Sequence, residues 1–257
     1  AALAKLLPAV FARHEAHLLH WLDSAPQTNE IRRSAGLILA ASLLASRFPG
    51  LPLQLSELGA SAGLNLQFDH YAMALEGRRF GPGEGIAAPL LTLAPDWQGD
   101  LPPQVPYTVA EARGVDLNPL RSDAREDMLR LRSYIWADQP DRMARLEAAL
   151  KGAVPPVDRG DAAEWLEARL AAPATGRLHL VYHTIAWQYF PETTKARCEA
   201  ALARAGAAAS PAAPLARLSM EDDGQRPGAA LRLTAWPGGE ERLLARIDFH
   251  GRWLQRV

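Results

Sequence analysis

Cysteine is almost missing from this chain. Cys198 is the single one in 257 residues, so an intrachain disulfide and a four-cysteine zinc site are both excluded, and a reducing compartment is the expected home. Lysine is scarce as well, with only Lys5, Lys151 and Lys195, so arginine carries nearly all the positive charge. The net charge is −1 and the pI about 6.7, which offers no global field to nucleic acid or an anionic membrane, although a local basic patch stays open. No apolar run reaches the ~20 residues of a membrane span. The longest, "AGLILAASLLAS" at 35–46, is bracketed by Arg32, Arg33 and Arg47 and reads as a buried helix. The first residues, "AALAKLLPAVFARHEAHLLHWL", mix in charge from Arg13 on and show no small-residue cleavage site after a clean apolar core. A soluble cytoplasmic protein is the expectation, with its oligomeric state open.

What is present is enough chain to bury a large core and an alternation of strand and helix patterns. Residues 3–23 suit an amphipathic helix bent at Pro8, and Thr28 or Asn29 caps a second helix running to about Phe48. "LPLQLSELG" (51–59) reads as a buried strand leading into a turn, and the residues after Gly63 start a helix. Residues 71–107 are rich in Gly and Pro. "YAMALEGRRFG" has the shape of a small hairpin there and "APDWQGDLPPQVP" that of an irregular loop, so the stretch reads as an insertion able to build a substrate lid. A strand then ends at Asp116. Helical pattern follows, interrupted near Pro140, then a short strand at Val157 and a helix after Asp161. "GRLHLVYHTIAWQYF" is the clearest strand, followed by a helix from Pro191 to Ala205, and the remainder reads as an antiparallel meander with turns at "PGGE" and "HG". The expected domains are a helical extension (1–49) and an α/β domain (50–257), with a mostly parallel sheet, an antiparallel edge and no fixed-period repeat.

Chemistry concentrates at "LSELGASAGLNL" (55–66). Gly-x-Ser-x-Gly around Ser61 suits a hydrolase elbow, with Asp222 or Asp223 and His250 as later partners, but too little sheet precedes it for that fold. The dinucleotide fingerprint fails too, since Ser61 and Leu64 replace its second and third glycines, so NAD and FAD are not expected. In the remaining reading Glu57 stands at the carboxyl end of the first strand to meet an amine or ribose. Gly59 and Gly63 admit a cofactor backbone-close, and a helix N-terminus completes the site.

That pattern resembles the first motif of Rossmann-like S-adenosylmethionine-dependent methyltransferases. The resemblance implies their three-layer sandwich, S-adenosylmethionine as cofactor, Asp116 as the acid on the ribose hydroxyls, and Asp161 with Ala162 at the adenine. It also places "YHTIAWQY" beside the transferred methyl. Two departures stand out: Asp116 comes far beyond the ~20-residue spacing usual in nucleotide-binding units, and Ser61 stands where glycine is preferred. At a finer grain "ELGASAGLNLQFDHY", "RGVDLNPL", "WADQPDRMARLEAA", "VYHTIAWQY" and "QTNEIRRSA" look like an uncharacterised bacterial family, a likeness that covers nearly the whole chain and carries no established reaction.

His183, where "LHLVYH" ends, is a candidate general base, or else a histidine satisfied at a strand end. His179 lies four residues earlier on the same strand, about 13 Å away by strand rise, too far to share a metal. His14, His17 and His20 share a helical stripe better read as a polar face, so no metal is expected. Trp187, Gln188 and Tyr189 could wall a pocket or cradle a sulfonium, and Asn65, Asp69 and Tyr71 follow the glycine turn towards a substrate. Asn29, Glu30 and Arg33 either fold over the cleft or serve locally, Asn29 as a helix cap and Arg33 as an exposed partner. The expected function is methyl transfer to a small molecule. The alternatives are a non-catalytic binding or interaction protein of the same fold, and a serine hydrolase.

Overall fold

The computed structural model of the chain describes residues 2–22, 26–81 and 88–257. Two helices, α1 (Ala2–Arg13) and α2 (Glu15–Leu22), come first; the chain breaks between them at His14, while Pro8 sits inside α1. Their large apolar residues, among them Leu6, Phe11 and Leu22, are exposed. A 3₁₀ turn (Ile31–Arg33), capped by Glu30 rather than by Thr28 or Asn29, leads into α3 (Ser34–Arg47). Helix α3 is apolar on all sides and correspondingly buried almost throughout. It belongs to the main core and not to a separate extension.

Nine strands make one sheet. In chain order they are β1 (Leu53–Leu58), β5 (Asp96–Gln98), β6 (Val109–Asp116), β7 (Val157–Arg159), β8 (Leu178–Thr184), β9 (Leu215–Glu221), β10 (Ala229–Trp236), β11 (Glu241–Ile247) and β12 (Trp253–Arg256). Their spatial order is β7-β6-β1-β8-β9-β10-β11-β12-β5. The β7-to-β9 half is parallel and β9 to β12 form an antiparallel meander. This is the expected mostly parallel sheet with an antiparallel end. One element departs from expectation: residues 96–98, read as loop, form β5, which pairs parallel with β12 at the far edge.

Within the expected insertion β2 (Tyr71–Leu75) and β3 (Arg78–Phe80) form the anticipated hairpin, joined in parallel by β4 (Leu91–Leu93). Residues 82–87 lie outside the described part. This small sheet packs its Met73, Phe80 and Leu93 into the main core and contributes nothing to the cleft described below, so its described residues form no lid.

Strand periodicity divides the core in two. Leu53 and Leu55 of β1, with Leu178, Leu180 and Tyr182 of β8, face α3, α4 (Arg125–Ser133) and α5 (Pro140–Ala149). Leu58 and Val181 point the other way, against α6 (Ala162–Arg169) and α7 (Glu192–Ala207). The result is a helix–sheet–helix sandwich. From β1 the chain runs outward through β6 and β7, then returns to β8 on the other side of β1. The crevice beyond the carboxyl ends of β1 and β8 is therefore the topological switch point, where open α/β sheets take ligands.

Candidate functional site

A cleft of about 560 Å³ opens there, within the range of small-molecule sites. Its floor is the turn after β1. Gly59 and Ala60 donate their amides to the Val115 carbonyl at 2.9 and 3.0 Å, which ties the turn to β6. Gly59 has φ +72°, and a Cβ on it would stand 2.6 Å from that of Ala186. This glycine is dictated by backbone and by close approach of the loop after β8. Gly63, also left-handed, meets Val157 and Pro155 and does not line the cleft.

Ser61 carries φ +54°, a region that costs a side chain about 1–2 kcal/mol. Its amide donates to Asp116 Oδ2 at 2.9 Å. Its hydroxyl is buried, lines the cleft and has no hydrogen-bond partner. Two further non-glycine residues with positive φ, Asn29 and Ile185, line the same cleft. Strain of this kind concentrates at functional sites.

The cleft gathers Glu57, Gly59, Ser61, Asn65, Asp116, Asp161, Asn29, Arg33 and Tyr189 from the residues singled out in the sequence. Glu57 is fully buried, and burial holds its carboxyl well above the ordinary carboxylate range. The Tyr182 hydroxyl donates to the Asn65 carbonyl at 3.2 Å and lies 3.5 Å from Glu57 Oε2. Asp116 accepts from Gln27 Nε2 at 3.0 Å and from the Asn118 amide at 2.8 Å through Oδ1. Asp161 caps α6, taking the Ala163 and Glu164 amides on Oδ1 and the Thr194 hydroxyl on Oδ2, and these bonds hold its carboxyl below the ordinary range despite burial. Its side chain is committed to the fold, whereas the Ala162 beside it also lines the cleft. Asn29 is not a helix cap: its Oδ1 accepts the Leu64 amide at 3.1 Å. Arg33 is not exposed; it is nine-tenths buried.

Other expected residues fall elsewhere. His183 belongs to the α6/α7 face by strand parity, one residue out of phase with Tyr182. Its Nδ1 donates to Glu221 Oε1 at 2.7 Å and its Nε2 accepts from Arg217 at 3.2 Å. Burial lowers its basicity. Trp187 stacks on the His183 ring at 4.7 Å, and the Arg217 guanidinium lies 4.5 Å from the Trp187 ring centre; the cation over Trp187 is thus an arginine of the chain itself. Tyr71 is a core residue donating to the Leu64 carbonyl at 2.7 Å, and Asp69, beside His70, is likewise outside the cleft.

None of the seven histidines lines the cleft. The hydrolase partners of Ser61 are not assembled: Asp223 is bound to Arg246 and Arg232, Asp222 to the Gly224 amide, and His250 lies 3.8 Å from Glu30. Among the described residues no group of three His, Cys, Asp or Glu comes together as a metal cage, and no helix is long and apolar enough to cross a membrane.

Gln27, Ile185 and Phe190, all at the cleft, were not named individually from the sequence, although Gln27 and Ile185 stand within "QTNEIRRSA" and "YHTIAWQY". The role of Gln27 depends on a partner 89 residues away. Phe190 was legible only as the end of an aromatic run.

Fold and cleft together define an α/β protein with a mixed apolar and polar cleft at a sheet switch point. The chain belongs to a family described as an uncharacterised protein conserved in bacteria, DUF2332, which it matches over residues 1–256. Neither the curated proteins nor the solved structures yield a match.

Proposed function

We propose that the cleft binds S-adenosylmethionine and that the protein is a methyltransferase acting on a small molecule. The observation that carries this reading is the coincidence of three features at the switch point: the strained glycine turn, the Asp116 carboxylate locked to it, and a buried hydroxyl on Ser61, a residue of the cleft lining, that has no partner among the described residues. Ligands bind at such points, and a buried polar atom without a partner costs about 1–3 kcal/mol until something meets it.

The residues fit the cofactor. Asp116 Oδ2 accepts only the Ser61 amide and keeps room for a ribose hydroxyl, while Gln27 on Oδ1 would yield to a second. Asp161 is spent on its cap, so the adenine would meet the Ala162 backbone instead. Bound, S-adenosylmethionine supplies an electrophilic methyl on a sulfonium. The chain's own part is to align an acceptor and to take its proton. Glu57 is better placed for that proton than His183, because it faces the cleft and burial raises its affinity for a proton. A non-catalytic ligand-binding role is the second reading, favoured by the absence of any histidine from the cleft.

Calorimetric titration tests the proposal. S-Adenosylmethionine and S-adenosylhomocysteine should bind in the micromolar range, and Asp116→Asn should weaken both at least tenfold with unchanged circular dichroism. No heat from either compound at millimolar concentration overturns it.

A further inference from the structure

The cleft holds a buried cation with no acid at ion-pair distance, although Glu30, Glu221 and Glu57 act on it from further off. Arg33 is 9% exposed and lines the cleft. Its Nε donates to the Phe249 carbonyl at 2.9 Å and its Nη1 to the Thr184 carbonyl at 3.0 Å. The guanidinium plane is thus clamped between the end of β8 and the turn joining β11 to β12, by two neutral acceptors.

Among the described residues no carboxylate lies at ion-pair distance from it. Glu30, three residues earlier, pairs with Arg142 at 2.9 Å. Glu221 spends Oε1 on His183 and on the amides of Ala186 and Trp187. Burial holds the Glu57 carboxyl well above the ordinary carboxylate range, and it too lies beyond ion-pair distance of Arg33. A desolvated cation without a directly paired counter-ion is costly, and arginine does not escape the cost by losing its proton. Nη2 makes no hydrogen bond among the described residues. Two more donors of the cleft lining are unspent: Asn65 uses its Oδ1 on the Ser34 hydroxyl at 2.7 Å and Asn29 its Oδ1 on the Leu64 amide, and the Nδ2 of each has no hydrogen-bond partner among the described residues.

We infer that Arg33 anchors a carboxylate of the bound ligand, with the side-chain amides of Asn29 and Asn65 as supporting donors. A planar monoanion matches one fixed guanidinium edge. A phosphate would bring a second negative charge against a single cation, in a cleft that already holds Glu57, Asp116 and Asp161; Arg130, the other arginine of the cleft, lies 4.8 Å over Trp21 of α2. The carboxylate belongs either to the aminoacyl end of the proposed cofactor or to the methyl acceptor, and only the first source rests on the cofactor reading.

Two matched pairs of probes separate these sources by calorimetry on the full chain. One is S-adenosylmethionine against decarboxylated S-adenosylmethionine; the other is benzoate against benzamide, with S-adenosylhomocysteine present and again without it. The expected result is a preference of tenfold or more for the carboxylate in at least one pair, reduced to less than twofold in Arg33→Met. A gap in the first pair assigns the carboxylate to the cofactor, and a gap in the second assigns it to the acceptor. Because Arg33 also holds two backbone carbonyls, Arg33→Lys is measured alongside and should keep part of the preference, while the wild-type comparison needs no variant. No preference in either pair with wild type, or a preference that survives in a folded Arg33→Met, overturns the inference. Failure of every adenosyl compound to bind, with the benzoate preference intact, sinks the cofactor reading and leaves Arg33 in its role.

Discussion

The two ends of strands β1 and β8 treat their polar groups in opposite ways. At the amino end Ser56 and His179 are 2.8 Å apart, Arg169 pairs with Glu111 at 2.6 Å, and Arg177 reaches the same carboxylate at 3.1 Å. Charges and hydroxyls there are spent almost entirely on one another, with one Arg169 nitrogen left over. At the carboxyl end Ser61 Oγ has no partner among the described residues, Arg33 has no acid at ion-pair distance, and Asn29, Ser61 and Ile185 sit at positive φ. The same strands thus end in a satisfied cluster on one side and in open valence and strain on the other. The lesson is that buried polarity alone does not mark a site; what its bonds leave unused does.

Three substitutions test that contrast. Gly59→Ala should be the most damaging, since a left-handed alanine costs about 1–2 kcal/mol and the overlap with Ala186 about 1–3 more; urea unfolding should show a loss of about 2–5 kcal/mol. A loss below 1 kcal/mol would mean that the turn is not held as described.

The satisfied end should show itself in acid. Burial depresses His179 to about 4, below its unfolded value of 6.5. The neutral ring therefore contributes stability that is full above pH 6.5 and is lost as the pH falls towards 4. At about 1.4 kcal/mol per pH unit the contribution is on the order of 3 kcal/mol. His179→Gln should flatten the fall in unfolding free energy between pH 7 and 4.5, and equal slopes for the two proteins would remove the histidine from the account.

The smallest effect belongs to the open end. Ser61→Gly should relieve strain and raise stability by about 1 kcal/mol while weakening S-adenosylmethionine three- to tenfold. A gain in stability with no loss of binding would make Ser61 an ordinary turn residue.

Much of this architecture is written locally. The apolar run of β1, the glycines that end it and the all-round apolar α3 are each legible from neighbours in sequence, and so is the meander with its turns. Strand parity in "LHLVYHT" tells that His179 and His183 share a face opposite to Tyr182, yet nothing in the string says which face meets the cleft. The misplacement of His183 follows from that ambiguity. For Arg33 the string leaves a place over the cleft and an exposed ion pair equally open; its burial depends on carbonyls 151 and 216 residues away. The β5 segment "DWQ" carries too short a pattern to read as a strand until β12 pairs with it.

That pairing has a consequence for the life of the protein in concentrated solution. Without β5 the sheet would end on β12, whose free amides and carbonyls would template a neighbouring chain. Three residues borrowed from another part of the sequence close this edge, and at the opposite edge β7 is equally short and carries Asp158 and Arg159. Both margins of the sheet thus end on strands of only three residues, which offer a neighbouring chain little backbone to pair with.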